Sequence, residues 1–181
     1  MSCEQIIPTA VKDLFEKIAI THPGIGHAPE AEPPVIRFYG YNNDEAISGE
    51  ATDLGSPRMG LSLKTHSAMY GSYSDRGGAT NDNLNIEVEF LEKNEVKDYA
   101  NEYGIYDRMK LVMDDTITWL QNAIHTDVQY QFPAIQRLDL KNANYLRVGP
   151  VHDSCYGWRL IIPLQAMLQL DDDNPLRNMT P

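Results

Sequence analysis

The chain has few cysteines and no long apolar run. Its two cysteines among 181 residues, Cys3 and Cys155, lie too far apart in sequence for a disulfide framework or a zinc-ligand motif. We therefore expect reduced thiols, in agreement with synthesis in the cytosol. The apolar run over residues 160–164 is much shorter than the ~20 residues of a membrane helix, and residues 1–5 lack the pattern of a secretory signal. These absences predict a soluble cytoplasmic protein that does not contact a membrane.

Positive charge is also scarce. Fifteen Lys and Arg stand against 26 Asp and Glu, which gives a formal net charge of −11. A surface that holds a nucleic-acid backbone needs clustered cations, so this balance argues against nucleic-acid binding as the main task. The composition is otherwise ordinary, with 42% hydrophobic residues. We predict one folded domain over residues 1–170 and a flexible acidic tail over residues 171–181.

Two segments have the three- and four-residue apolar spacing of helices. The first covers residues 8–21, with Pro8 in its first turn. The second and longer one covers residues 106–125 and is expected to cover a sheet. Tyr99, Tyr103 and Tyr106 precede or begin it at helical spacing, and we interpret them as core or helix-start packing.

Strands are predicted from β-branched and aromatic runs at residues 35–41, 59–64, 84–90, 135–140, 144–151 and 155–164. Alternation is cleanest at 84–90, where Glu87 and Glu89 share one face. Because the short strand-to-strand connections suit hairpins, the order helix, strands, long helix, strands predicts an α+β domain with a mostly antiparallel sheet.

Two polar stretches, residues 42–57 and 65–83, are long for loops of a compact domain. Connections of this length are typically functional, disordered or folded back as hairpins. The second contains Tyr70, Tyr73, Asp75 and Arg76, which are candidate interface residues. Loops that do not pack on their own domain often become ordered against a neighbour.

Inspection finds no catalytic or cofactor motif. Gly24 and Gly26 begin like a dinucleotide fingerprint, but they follow a helix and lack the third glycine. His22 and His27 are five residues apart in a proline-rich segment, so they do not share a helical face as zinc-binding histidines do. The sequence predicts no cofactor and no metal site.

Two candidate reactions remain as alternatives. Cys155 has the residue types of a nucleophilic site near it in sequence, His152 and Asp153, but an offset of three residues places His152 and Cys155 on opposite faces of a strand. Glu87 and Glu89 have the spacing of a glycosidase carboxylate pair, but solvated glutamates are the simpler interpretation. We therefore predict that the chain is not an enzyme and has no catalytic residues, with a hydrolase that uses Cys155 kept as the less favoured alternative.

The layout of the chain resembles a known family. The N-terminal helix, the strand-and-loop middle, the long helix ending in Ile117-Thr118-Trp119-Leu120 and the final strand over 156–164 are similar to tail-terminator and head–tail connector proteins of tailed bacteriophages. Cap proteins of contractile injection devices are similar too. The resemblance is one of element order over residues 8–165, and the chain departs from it in the length of segments 42–57 and 65–83.

This resemblance implies a structural protein made in the cytoplasm of a bacterial host and assembled into a virion. Its partners would be copies of itself in a ring and neighbouring virion proteins, with DNA only as passing cargo. Head-to-tail contacts close into a ring when the rotation divides a full turn, and an acidic lumen repels phosphates. On this hypothesis Glu87 and Glu89, or the acidic residues of the two loops, line the channel or an interface. The alternative from another class is a small cytosolic adaptor that binds one partner through its loops.

Overall fold

The computed structural model describes residues 3–40, 55–69, 80–95, 98–132, 135, 138–151 and 154–168. In chain order the elements are α1 (Cys3–Thr21), β1 (Phe38–Gly40), β2 (Arg58–Met69), β3 (Thr80–Lys93), α2 (Tyr99–Ala123), the short α3 (Val128–Gln131), a 3-10 turn (Leu140–Asn142), β4 (Asn144–Val151) and β5 (Cys155–Leu168). This order confirms the predicted α+β class.

The five strands form one sheet in the order β1-β2-β3-β5-β4. β1 runs parallel to β2, and the other three neighbouring pairs are antiparallel. The prediction of a mostly antiparallel sheet is therefore confirmed. In this order β1 and β4 are the two edge strands.

The β2–β3 hairpin is longer than the sequence pattern predicted. Residues 65–69 and 80–83 belong to the predicted loop, but they continue the ladder, with Ala68 opposite Asp82 and Met69 opposite Asn81. Of the three possibilities expected for this segment, a fold back as a hairpin is the one that occurs over these residues, because backbone hydrogen bonds hold a hairpin together even where the side chains are polar. Tyr70, Tyr73, Asp75 and Arg76 lie outside the described residues, as do residues 41–54 and the predicted tail over 171–181.

Both long helices begin earlier than predicted. α1 starts at Cys3, so Pro8 lies within it; proline removes one backbone hydrogen bond there, and the burial of Leu14 and Phe15 in the following turns offsets that loss. α2 starts at Tyr99 because the Asp98 carboxylate caps it by accepting the Ala100 backbone N–H.

Of the three tyrosines that were interpreted as core or helix-start packing, Tyr106 lies in the core and Tyr99 is the first residue of α2. Tyr106 is buried, whereas Tyr99 is 81% exposed and Tyr103 is 64% exposed. Tyr99 and Tyr103 lie on the solvent side of the first turns of α2. Helical spacing alone does not show whether a tyrosine is buried or exposed, because its ring is apolar and its hydroxyl is polar.

The predicted strand over residues 135–140 is wrong. Leu138 makes one isolated bridge to Leu164, and the chain then enters the 3-10 turn. Ile135 and Leu138 are nevertheless buried in the main core. Their apolar side chains lie in the core although neither residue belongs to a strand. The apolar residues of this segment therefore correctly predicted burial, whereas the strand assignment was incorrect at residues 135 and 138–140, the ones described here.

One face of the sheet carries the core. The side chains that point toward the helices alternate along the strands and are fully or almost fully buried; they include Met59, Val88, Phe90, Leu160 and Ile162. α2 packs mainly on β5 and β3, as expected for the helix that covers the sheet, and α1 packs near β1 and β2. In the described part of the chain, both long helices therefore lie on this face.

Candidate functional site

Charged side chains are concentrated on the opposite face of the sheet. The strand register places Tyr39 of β1 beside Gly60 of β2, Gly60 beside Glu89 of β3, and Glu89 beside Arg159 of β5. These four residues form a row across four neighbouring strands. Because side chains alternate between faces along a strand, the row points away from the helices.

The row is held by hydrogen bonds to one carboxylate. Arg159 donates from Nε to Oε1 of Glu89 at 3.0 Å, and the Tyr39 hydroxyl donates to Oε2 of the same carboxylate at 3.3 Å. Tyr39 reaches Glu89 by lying across Gly60, where a Cβ would come within 2.6 Å of the phenol oxygen. Glycine at this position therefore makes the bond possible.

Glu87 and Arg58 extend the row into a cluster. An oxygen of Glu87 lies 3.6 Å from Nη1 of Arg159, and the Arg58 guanidinium lies 5.8 Å from the centre of the Tyr39 ring. We call Tyr39, Arg58, Glu87, Glu89 and Arg159 the ion cluster. Its two carboxylates and two guanidinium groups balance in charge, which is the condition under which charged groups are tolerated in the interior.

Burial in this cluster disfavours ionisation of the phenol. The Tyr39 pKa is raised well above its ordinary value, first by burial and then by the negative charge of Glu89, while Arg58 opposes the shift. This shift favours the neutral phenol, which is the form that donates a hydrogen bond to Glu89.

The solvated interpretation of Glu87 and Glu89 is wrong. Glu89 has no exposed area and Glu87 is 8% exposed, and Arg159 on the neighbouring strand pairs with both of them. The alternation of residues correctly predicted that Glu87 and Glu89 share one face of β3. It could not predict that this face is buried. The sequence analysis did not identify Arg58, Arg159 or Tyr39 as site residues. The one feature that could have indicated the site is Arg159, a charged residue within the otherwise apolar final strand.

Cys155 adjoins the ion cluster and is also buried. It is 1% exposed, and its Sγ accepts a hydrogen bond from Nη2 of Arg58 at 3.0 Å. His152 and Asp153, its candidate partners, lie outside the described residues. The geometry around Cys155 is that of a packed thiol beside a guanidinium.

A second group of side chains lies at the β4 edge, where Tyr103, Tyr145 and Arg147 are exposed. The guanidinium of Arg147 lies 3.8 Å from the ring centre of Tyr106 and 5.7 Å from that of Tyr103. The ammonium of Lys110 lies 4.7 Å from the ring centre of Tyr145. Contacts of this kind between cations and aromatic faces are favourable by about 0.5–1 kcal/mol at exposed sites.

Trp158 joins these side chains to the sheet. Its ring packs edge-on against Tyr145 with a centroid separation of 5.6 Å, and its Nε1 donates to the backbone oxygen of Tyr106 at 2.8 Å. We call Tyr103, Lys110, Tyr145, Arg147 and Trp158 the β4 surface.

The β4 surface has the composition of a protein-binding site. Tyr, Trp and Arg are enriched at the hot spots of protein–protein interfaces, the few residues that contribute most of the binding energy. Tyr145 is 53% exposed and its neighbour Leu146 is 42% exposed, although both lie in a strand. Sequence reasoning missed this surface, since Arg147 and Tyr145 come from a hairpin whose pattern showed a strand and nothing more.

Comparison with known proteins assigns no family to the chain. No family model matches it. No curated protein matches it significantly.

Membrane-spanning helices and groups of metal ligands are absent from the described residues. None of their helices is long and apolar enough to cross a membrane. Within the same residues, no three His, Cys, Asp or Glu side chains are grouped as metal ligands.

Proposed function

We propose that the chain is a structural subunit that joins copies of itself head-to-tail into a ring, at the head–tail junction or the tail end of a phage-like particle. The observation that carries the proposal is that the described sheet ends in two chemically different edge strands, β1 and β4. β4 pairs only with β5, and β1 pairs only with β2, in the described sheet. A subunit with different surfaces at its two ends makes heterologous contacts, and these generate rings when the rotation closes.

The exposure of β4 supports self-association. Its first four residues, 144–147, are all exposed, and they include the aromatic Tyr145 and the apolar Leu146. Edge strands are ready templates for pairing with another chain, and natural proteins usually shorten or cover them. A ring neighbour would cover this edge.

The order of elements supports the placement in a phage-like particle. Helix, strand, long hairpin, long helix and final hairpin follow one another as in the tail-terminator and connector proteins that the sequence resembles. In such a particle, neighbouring virion proteins would contact the two faces of the ring, and DNA would pass through its centre.

The charge distribution suits passage of DNA without retention. Since Glu87 and Glu89 are buried and paired, they do not supply the acidic lining expected from the sequence. Exposed carboxylates do occur elsewhere, at Asp13, Glu30, Glu32, Glu95, Asp98, Asp107, Asp115 and Asp127. Carboxylates repel the phosphates of DNA over about 8–10 Å at moderate salt. A channel lined by some of these carboxylates would therefore not bind DNA tightly.

Negative-stain imaging of the concentrated protein tests the proposal. We expect closed rings of identical subunits with an open central channel. Particles with a single two-fold axis and no channel would contradict it, as would monomers at every concentration. A monomer that binds one partner in a fixed ratio would instead support the adaptor alternative.

A further inference from the structure

The two edges of the sheet carry opposite charges that the described chain does not pair. At the β4 edge Arg147 is exposed, and no carboxylate of the described residues lies within ion-pair distance of it. At the other edge, residues 28–37 run directly into β1; we call them the β1 loop. Glu30 and Glu32 in this loop are exposed, and neither forms an ion pair with another described residue.

The β1 loop is a fixed structure. Ala28 and Val35 form an antiparallel bridge through both of their backbone hydrogen bonds, at 2.9 and 3.0 Å. Arg37 is the cation of this loop, and its guanidinium donates to the backbone oxygen of Ile25 at 2.8 Å. The carboxylates of Glu30 and Glu32 are therefore presented to solvent by a loop whose ends are held, which lowers the entropy cost of binding.

The uncharged groups at the two edges also match. Ile36 of the β1 loop is 41% exposed, and Pro33 and Pro34 beside it are exposed as well. Tyr145 and Leu146 present apolar area at the β4 edge. An apolar centre with charges around it is the usual anatomy of a protein interface.

We infer that the β1 loop of one copy docks on the β4 surface of the next copy, with Arg147 facing Glu30 and Glu32 of that neighbour. The inference rests on the proposed function, because it names the two surfaces that a head-to-tail ring would join. Within one chain the contact is out of reach. Four strand spacings separate β1 from β4, a distance of about 19 Å at about 4.8 Å per spacing.

Charge reversal tests the contact. We expect Arg147→Glu to raise the dissociation constant of self-association, measured by sedimentation velocity, at least about tenfold, because like charges would then face one another. The variant with Glu30→Arg and Glu32→Arg should weaken it similarly. The variant with all three changes should restore association to within about threefold of the wild type, since the charges are again complementary.

The design separates a lost contact from a lost fold. A folding defect caused by Arg147→Glu could not be repaired by changes at the opposite edge of the same sheet, so recovery in the triple variant can arise only between copies. Lys17→Glu is the matched control: Lys17 is exposed on α1 and belongs neither to the β1 loop nor to the β4 surface, so its reversal should leave the dissociation constant within about twofold of wild type.

A photocrosslink identifies the occupant directly. With a benzoylphenylalanine at position 145, the crosslinked peptide of a second copy should contain residues 28–37. If the wild type associates but the crosslink maps elsewhere or Arg147→Glu has no effect, this inference is overturned and the proposed ring stands. If the wild type does not associate at any concentration, the ring proposal fails and the inference fails with it.

Discussion

Glu89 and Arg159 lie directly opposite each other on antiparallel strands, and Arg159 donates to a carboxylate that has no exposed area. Each strand supplies one charge, so the pair fixes the register of β3 against β5. A slip by one residue would move Arg159 to the helix-packed face and leave Glu89 buried without it. The cost of leaving one charge buried is larger than the net stabilisation of the pair.

Removal of the Glu89 charge should therefore lower the free energy of unfolding. For Glu89→Gln we expect a loss of about 2–3 kcal/mol, because Arg159 loses its charged acceptor in a mostly buried place. Urea denaturation followed by circular dichroism measures it. Glu92→Gln is the matched control on the same strand: its pair with Arg108 is half exposed, and its loss should cost less than about 1 kcal/mol. Equal losses in the two variants would contradict the account of the ion cluster.

The side chain of Tyr39 occupies the space above Gly60. A methyl group at position 60 would displace the phenol, so Gly60→Ala should destabilise the protein by about 2 kcal/mol. In a Tyr39→Ala background the same change should cost little, since the space is then empty. A double-mutant cycle by urea denaturation gives the coupling between the two sites. Additive effects would show that Tyr39 does not lie across Gly60.

Alkaline pH should weaken the fold through Tyr39. Its pKa is raised in the folded protein, so above the unfolded value of about 10 the unfolded chain loses the phenol proton and the folded protein keeps it. The stability linked to this group is therefore complete below about pH 10 and falls as the pH rises above it. Tyr39→Phe should show a smaller fall in urea midpoint between about pH 9 and pH 11 than the wild type. An identical fall in both proteins would exclude Tyr39 as the cause.

The sequence predicts the helix-packed face of the sheet better than the face that carries the ion cluster. Apolar alternation located β3 and its helix-packed face, because burial against a helix requires apolar side chains at every second position. The position of β5 was predicted from its β-branched and aromatic residues, without a prediction of which face is buried. The row from Tyr39 to Arg159 could not be derived, since it depends on which strands are neighbours. The order of strands is set by the tertiary fold. Tyr39 and Glu89, for example, form a hydrogen bond although they are 50 residues apart in the sequence.

The β4 surface illustrates a second limit. The spacing of Tyr103 predicts core or helix-start packing, yet its ring lies under the guanidinium of Arg147 at the protein surface. Tyrosine suits either place, because its ring is apolar and its hydroxyl is polar. Only the position of the edge strand relative to α2 decides between them.

Cys155 should be unreactive in the folded chain. It is almost fully buried beside Arg58, so thiol reagents reach it only when the protein opens. In a Cys3→Ser variant, labelling by iodoacetamide under native conditions should be at least about a hundredfold slower than in denaturant. Labelling as fast as that of free cysteine would contradict the burial, and labelling faster than free cysteine would favour the hydrolase alternative.

The central claim is that copies of the chain join head-to-tail into a closed ring, and the mass of the wild-type protein tests it most directly. Static light scattering over a wide concentration range should show the 20.5 kDa chain giving way to one larger mass that reaches a plateau at a fixed multiple, as a closed ring requires. A mass of one chain at every concentration would contradict the claim, and a mass that rises without a plateau would contradict closure.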